Sequence, residues 1–259
     1  MSLSRSRALV LLVLTLGLAL PACGNGSSSG ATGTAGAVPG VELTGPPFEV
    51  VLLDDQPDPF ATVDASAPKG ISQFQEAVVF SPEDIQGRSY VRLVVQPGEA
   101  FPQAMARAKP WFDARALPKG DRLLFSLIIE ENEITKVREP VGARTYVGTS
   151  TVVLTKDDVA SATIGAVPDQ DNKPQTVAMV ELNPLASERF AKFTRENVFR
   201  RIAVMTRGNV LMAPMIRSEI TGGKLTISGD QDLPQDQQRA ELQRFVDGLQ
   251  KPAAPAPPK

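Results

Sequence analysis

Both ends of the chain are composed so that they cannot join a packed core, and this fixes what can. Arg5 and Arg7 precede a 13-residue apolar run, Ala8 to Leu20, interrupted only by Thr15 and Gly17. Such a run is shorter than the roughly 20 residues a membrane-spanning helix needs, and it suits the apolar centre of an export signal. It ends in Leu20-Pro21-Ala22-Cys23. Residues 24–40 are nearly all Gly, Ser, Ala and Thr, too poor in apolar side chains to order themselves. Residues 251–259, KPAAPAPPK, read as an extended Pro/Ala-rich tail. The expected division is a signal peptide over 1–22, a flexible linker over 23–40, a folding part over 41–250 and the tail.

Composition narrows the chemistry open to the folding part. The 259 residues include no His and one Cys. A His general base, a Ser–His or Cys–His pair, an imidazole metal ligand, an intrachain disulfide and a thiolate zinc site are all excluded. A formal net charge of −2 offers no basic field for nucleic acid, and 14 aromatics leave little for base stacking. No cofactor or metal is expected, and the chain reads as a non-enzyme. The one Cys gains meaning from its position. Leu20-Pro21-Ala22-Cys23 resembles a bacterial lipobox, in which a small residue admits a peptidase and the Cys thiol receives a diacylglyceryl group. Pro21 departs from the usual Ala or Ser. The resemblance implies lipidation at Cys23, with residues 24–40 as a tether whose r.m.s. reach is on the order of 20–25 Å.

Periodicity sets the elements. Phe48–Leu53 is a short apolar run between Pro47 and Asp54 and reads as a buried strand. Residues 54–70, rich in Asp, Pro and Ala, read as loop. Strands are expected near 76–80, over Ser89–Gln96 with Val91, Leu93 and Val95 on one face, and over Arg122–Glu130. Pro102 opens a helix to about Ala116 that Pro110 should kink or split. Glu133–Arg138 could return beside the 122–130 strand. Arg144–Leu154 reads as a strand, followed by a short helix with Thr155 as N-cap and Asp158 at its third position. Thr176–Leu182 is a strand. Asn183 caps a helix over 184–197 with Pro184 at its first position, expected to bury Leu185, Phe190 and Phe193. Arg201–Thr206 and Val210–Ile216 form a hairpin through Arg207-Gly208-Asn209. A strand ends near Ile227, and Pro234–Leu249 is an amphipathic helix burying Leu242, Phe245, Val246 and Leu249. The class is α+β with a mostly antiparallel sheet, ordered β-α-β-β-β-α in the C-terminal half.

The stretch from Leu154 to Gly229 resembles the head part of the first periplasmic domain of the SecD family, a component of the bacterial SecDF protein-export complex. The matching segments are Leu154-Thr155-Lys156-Asp157-Asp158, Val180-Glu181-Leu182-Asn183, Phe190 to Asn197, Arg201-Ile202-Ala203-Val204, Val210 to Ile216, and Ile220-Thr221-Gly222-Gly223 closing at Ile227-Ser228-Gly229. Their order is more specific than any one of them. Arg144-Thr145-Tyr146 and Pro118 to Arg122 are similar less distinctly. Arg207 stands where the family commonly has Asp, and Met212 where Ser is common. The resemblance implies a SecD-like head over 144–250, packed by an N-terminal α+β region over 41–143, in a stand-alone lipoprotein. Family members carry transmembrane helices, and no apolar run after Cys23 is long enough for one. The implied function is a non-catalytic protein-binding module linked to export, tethered to a bacterial membrane and facing the periplasm or exterior. Its expected partners are exported or unfolded polypeptides or envelope proteins. A structural or assembly lipoprotein of an envelope complex unrelated to export is the competing reading, because fold does not fix function.

Residues carrying the resemblance also have plainer roles. Thr194 and Asn197 suit a helix end and its following loop. Gly208, Gly222 and Gly223 suit positive φ or close backbone approach, with no phosphate-loop spacing around them. Pro214 suits an edge strand or bulge, just before Ile216 in an apolar segment. The acidic pairs Asp54-Asp55 and Asp157-Asp158 are expected to be solvated or to cap a helix, and Asp169 to Asn172 to form an exposed hairpin loop. Cys23→Ser should abolish acyl labelling of the protein, and globomycin should make the unprocessed precursor accumulate. Labelling that survives the substitution would refute lipidation at this position.

Overall fold

The structure, a computed structural model, describes residues 45–131, 137–169, 172–229 and 235–250. The expected signal peptide, linker, Cys23 and tail lie outside these residues. Ten strands and three helices follow in chain order: β1 Glu49–Leu53, β2 Ile71–Ser81, β3 Asp84–Val94, α1 Phe101–Asp113, β4 Arg122–Glu131, β5 Arg138–Thr155, β6 Val159–Pro168, β7 Pro174–Leu182, α2 Pro184–Glu196, β8 Ile202–Thr206, β9 Asn209–Met212, β10 Lys224–Ser228 and α3 Gln235–Gln250. A 3-10 turn, Lys156–Asp158, joins β5 to β6. The class is α+β and the pairing almost wholly antiparallel; β4 beside β9 is the one parallel neighbour among the described strands.

One sheet runs β1-β8-β9-β4-β5-β3-β2, and β1 also pairs with β5, so five of its strands close into a ring. The second sheet runs β10-β7-β6. β5 is the spine of the first. One of its edges pairs with β4 from Arg138 to Gly148; the other meets β3 at Gly142–Arg144 and β1 from Gly148 to Thr155. Residues 143 and 144 are therefore consecutive positions of one strand, and β8 and β9 share a sheet with β1 to β4.

β1 reads as an unbroken apolar run because both its faces are covered. Val50 and Leu52 face a core shared with β7, Phe190 of α2, and Leu242, Phe245, Val246 and Leu249 of α3. Val51 and Leu53 face the ring interior, with Leu124, Tyr146, Ala203, Met205 and Val210. A third cluster packs Ala104, Ala108, Trp111 and Phe112 of α1 against Val91 and Leu93, with Phe60 from the preceding loop filling the gap.

Several expectations need correction. Leu185 is 73% exposed; the buried face of α2 is Ala186, Phe190 and Thr194, with Phe193 half-buried and stacked on Phe190. Pro184 starts the helix one residue before Leu185, so the 100° step per residue puts Ala186, not Leu185, in line with Phe190. The strand expected over Val210–Ile216 stops at Met212, although Met215 still bridges Arg201. The strands near 76–80 and 89–96 are longer and form one hairpin. α1 keeps Pro110 inside without ending there. β6 was not foreseen, because its small residues, Ala160, Ser161, Ala162 and Gly165, give no apolar alternation. Of the proposed return over 133–138, residues 132–136 lie outside those described.

Phe190→Ala should cost about 3–5 kcal/mol, since a fully buried phenyl leaves a cavity. Leu185→Ser should change stability by less than about 0.5 kcal/mol. Urea unfolding of both variants checks the contrast.

Candidate functional site

β5 carries β3 and β1 on the same edge but not end to end, and residues 145–147 sit at the step between them. Two hydrogen bonds bridge the opening: Val91 N–H donates to Thr145 Oγ1 at 3.1 Å, and Asp54 N–H donates to Val147 O at 3.0 Å. Register places Arg92 beside Arg144, and Phe74 beside Tyr90, so their side chains share a face. Arg201, one residue before β8, enters this face from the ring.

The Arg201 guanidinium is nine-tenths buried. Its Nε donates to Asp55 Oδ2 at 2.9 Å, and its NH2 group donates to Asp55 Oδ1 and to Tyr90 Oη. Its NH1 group donates to Glu76 Oε2 at 3.3 Å, an oxygen that also accepts from Arg144. Tyr90 Oη donates to Asp55 Oδ1 at 3.1 Å, and Arg88 Nε donates to Asp55 O at 2.7 Å. The Arg144 guanidinium lies 4.5 Å from the Tyr146 ring centre, 5.2 Å from Tyr90 and 5.1 Å from Phe74. The chain's two tyrosines are thus both here.

Burial should strip the proton from Arg201, but the hydrogen bonds and charge of Asp55 outweigh it and hold the guanidinium above its ordinary range. Burial raises the Tyr90 phenol, despite the opposing charge of Arg201. Burial likewise raises Tyr146. This is an arrangement of paired charges and rings.

Asp55 is thereby not a solvated acid, contrary to the expectation for Asp54-Asp55. Its neighbour behaves differently. Asp121, before β4, is raised by burial and by the charge and hydrogen bond of Asp54, against the opposing charge of Arg200. At Asp157-Asp158, the second acid closes a capping box, accepting from Thr155 N–H at 2.8 Å and pairing with Arg189 at 2.7 Å.

The remaining sequence-selected residues lie between α2 and β10. Thr194 is fully buried; its Oγ1 donates to Ala191 O and accepts from Ile220 N–H at 2.9 Å, pinning the 217–221 loop to α2. Asn197 Nδ2 donates to Phe193 O at 2.9 Å at the helix end. Ile216 is buried and accepts from Phe199 N–H at 2.8 Å, holding Phe199 at φ 68°. Pro214 follows β9 and accepts from Ile202 N–H at 3.0 Å. In the β8–β9 turn the positive φ values fall on Arg207 (48°) and Gly208 (81°), not on Asn209, which already pairs with Thr206. Gly222 and Gly223 also take positive φ, and a Cβ on Gly223 would sit 2.6 Å from Ser187 Oγ. Gly222 and Gly223 cluster with the start of α2, whereas Gly208 lies at the opposite, N-terminal approach of β1, where Arg207 N–H donates to Pro46 O at 2.7 Å.

A separate cleft of about 380 Å³ opens between α1 and β4, lined chiefly by Met105, Phe112, Leu117, Leu123 and Phe125, with the Lys109–Asp113 ion pair at 2.6 Å and Arg115 beside it. It has no convergent carboxylates. Among the described residues no three His, Cys, Asp or Glu groups gather to hold a metal, and no helix is long and apolar enough to cross a membrane.

The buried junction was missed from sequence. Arg144-Thr145-Tyr146 was noted only as a matching segment, and Asp55, Glu76, Tyr90 and Arg201 are joined by sequence separations of up to 146 residues. The scarcity of Tyr was the one available signal.

Replacing Arg201 with Ala leaves Asp55 buried and unpaired and should cost about 3–5 kcal/mol, whereas Arg201→Met with Asp55→Leu should cost less than the single change. Asp121→Asn should stabilise the protein at neutral pH. A raised carboxyl favours folding when protonated and that contribution is lost as pH rises through its folded pKa, so the gain should vanish towards acid. Thermal melts at several pH values measure both.

Residues 132–242 match the family described as SecDF, P1 head subdomain. The protein translocase subunit SecD of Acidaminococcus fermentans is 30% identical over 118 residues, covering 43% of this chain and 28% of that protein. SecDF of Thermus thermophilus is 39% identical over 77 residues, covering 30% of this chain and 10% of that protein. SecD of Calditerrivibrio nitroreducens is 35% identical over 104 residues, covering 40% and 20%. The chain thus spans less than a third of the length of these relatives. A solved structure of SecDF, a membrane component that enhances protein export, covers 78% of this chain and 92% of its own, at 18% identity and a TM-score of 0.31. Arg144, Tyr146 and Arg201 fall inside the matched range, and Asp55, Glu76 and Tyr90 outside it, so the buried junction joins the two parts. Residues 132–242 of this chain are thus similar to the head subdomain of the SecD family.

Proposed function

We propose that the chain is an envelope lipoprotein, anchored through Cys23, whose SecD-family head serves as a non-catalytic protein-binding module in protein export. The head match over 132–242 carries this reading. The relatives bear the name protein translocase subunit, which supplies the process. The lipobox-like Leu20 to Cys23 and the Gly/Ser-rich residues 24–40 support an anchor and tether, with the domain on the periplasmic or outer side of a bacterial membrane. Paired charges and buried phenols at the junction, together with an apolar cleft without convergent acids, support binding over catalysis. In this reading Thr194, Asn197, Gly208, Pro214, Ile216, Gly222 and Gly223 build the scaffold of the head and do not themselves hold a client. Arg201 and Asp55 tie the described segments before residue 132 to those after it.

Photo-cross-linkers placed at exposed positions on both parts, such as Gln75, Met179 and Leu185, should trap non-native exported chains in living cells. A folded, membrane-tethered protein that yields no such adducts would overturn the binding reading.

A further inference from the structure

We propose that the outer edge of β2 is a strand-addition site that takes up an extended, largely uncharged polypeptide segment. This rests on the binding reading above and locates it. β2 is the terminal strand of its sheet and is 11 residues long, well above the usual five or six. It pairs with β3 on one side from Ile71 to Ser81, and among the described residues nothing pairs with its other side.

An edge of this kind presents a row of N–H and C=O groups that only another extended backbone can satisfy as a set. Proteins usually blunt such edges with Lys, Pro, a central bulge or a covering segment. The segment ISQFQEAVVFS contains neither Lys nor Pro, and its one irregularity lies at the far end, between Val79 and Ser81. Its single charge, Glu76, turns inward to Arg144 and Arg201. The buried junction therefore removes the one side chain that could have guarded the edge. It also holds the strand in place, with Arg144 and Arg92 over the Phe74 ring and Arg88 over the Phe80 ring.

The occupant follows from what flanks the edge. Phe74, Val78 and Phe80 project to one face, and Gln73, Gln75 and Ala77 to the other. A segment alternating apolar and small polar residues matches both.

The full chain, purified from membranes in detergent, is titrated with a fluorescent, end-capped peptide of alternating Val and Thr. Binding should slow amide hydrogen exchange across residues 72–80. Methylating alternate peptide nitrogens on the side facing β2, or substituting Ala77→Lys on the exposed edge, should weaken binding by about tenfold, the loss of one or two hydrogen bonds. An unchanged melting temperature shows that Ala77→Lys is folded, and Gln75→Lys provides a second edge charge. Equal binding by the methylated peptide, or exchange protection confined to the α1–β4 cleft, overturns the edge site while leaving polypeptide binding intact. A dimer that Ala77→Lys abolishes gives the edge to a second copy and overturns the proposal. Absence of peptide binding together with absence of cross-linked clients refutes both readings; absence of peptide binding with clients still cross-linked refutes the edge alone.

Discussion

A guanidinium nine-tenths removed from water has to be neutralised in place, and the arrangement around Arg201 follows from that requirement. Asp55 supplies both carboxylate oxygens, which fixes the loop leaving β1. Tyr90 and Glu76 take the remaining donors, which fixes the β2–β3 hairpin. Arg144 then stacks against the same rings from the spine strand. Five chain segments are registered by one charge.

The head and the N-terminal part are correspondingly hard to treat as separate bodies. β5 lies within 132–242 but pairs with β1, β3 and β4 from before that range, and β1 is inserted between β8 and β5 with one face in each of two cores. The match to the head subdomain covers residues 132 to 242, but four of the strands that complete its ring or its junction, β1 to β4, lie before that range. The matched region is thus completed by strands outside it.

Local chemistry made most elements legible. Asn183-Pro184 starts α2 where capping physics puts it, with Asn183 Oδ1 accepting from Ala186 N–H at 2.8 Å. The apolar spacing of α3 names the buried apolar residues Leu242, Phe245, Val246 and Leu249 correctly. Failures came where a long-range contact replaced a local rule. Asn209 was expected to help the turn, yet its side chain accepts from Leu127 N–H across the ring at 2.8 Å, so Arg207 takes the left-handed position. β6 has almost no pattern of its own and is a strand because β7 pairs with it. The buried junction was opaque for the same reason: each member is an ordinary surface residue until the fold brings the others to it.

The approach to β1 has a mechanical meaning. Pro46 and Pro47 are fastened to the β8–β9 turn by Arg207 N–H and by Thr206 Oγ1 at 2.8 Å, and β1 then runs antiparallel between β8 and β5. A load entering the domain through the residues before Gly45 therefore acts along the axis of β1. It strains the ladders on both edges together and in shear, where unzipping would meet them one bond at a time. A pull applied at Gly45 along β1 is consequently shared by the two strands that flank it.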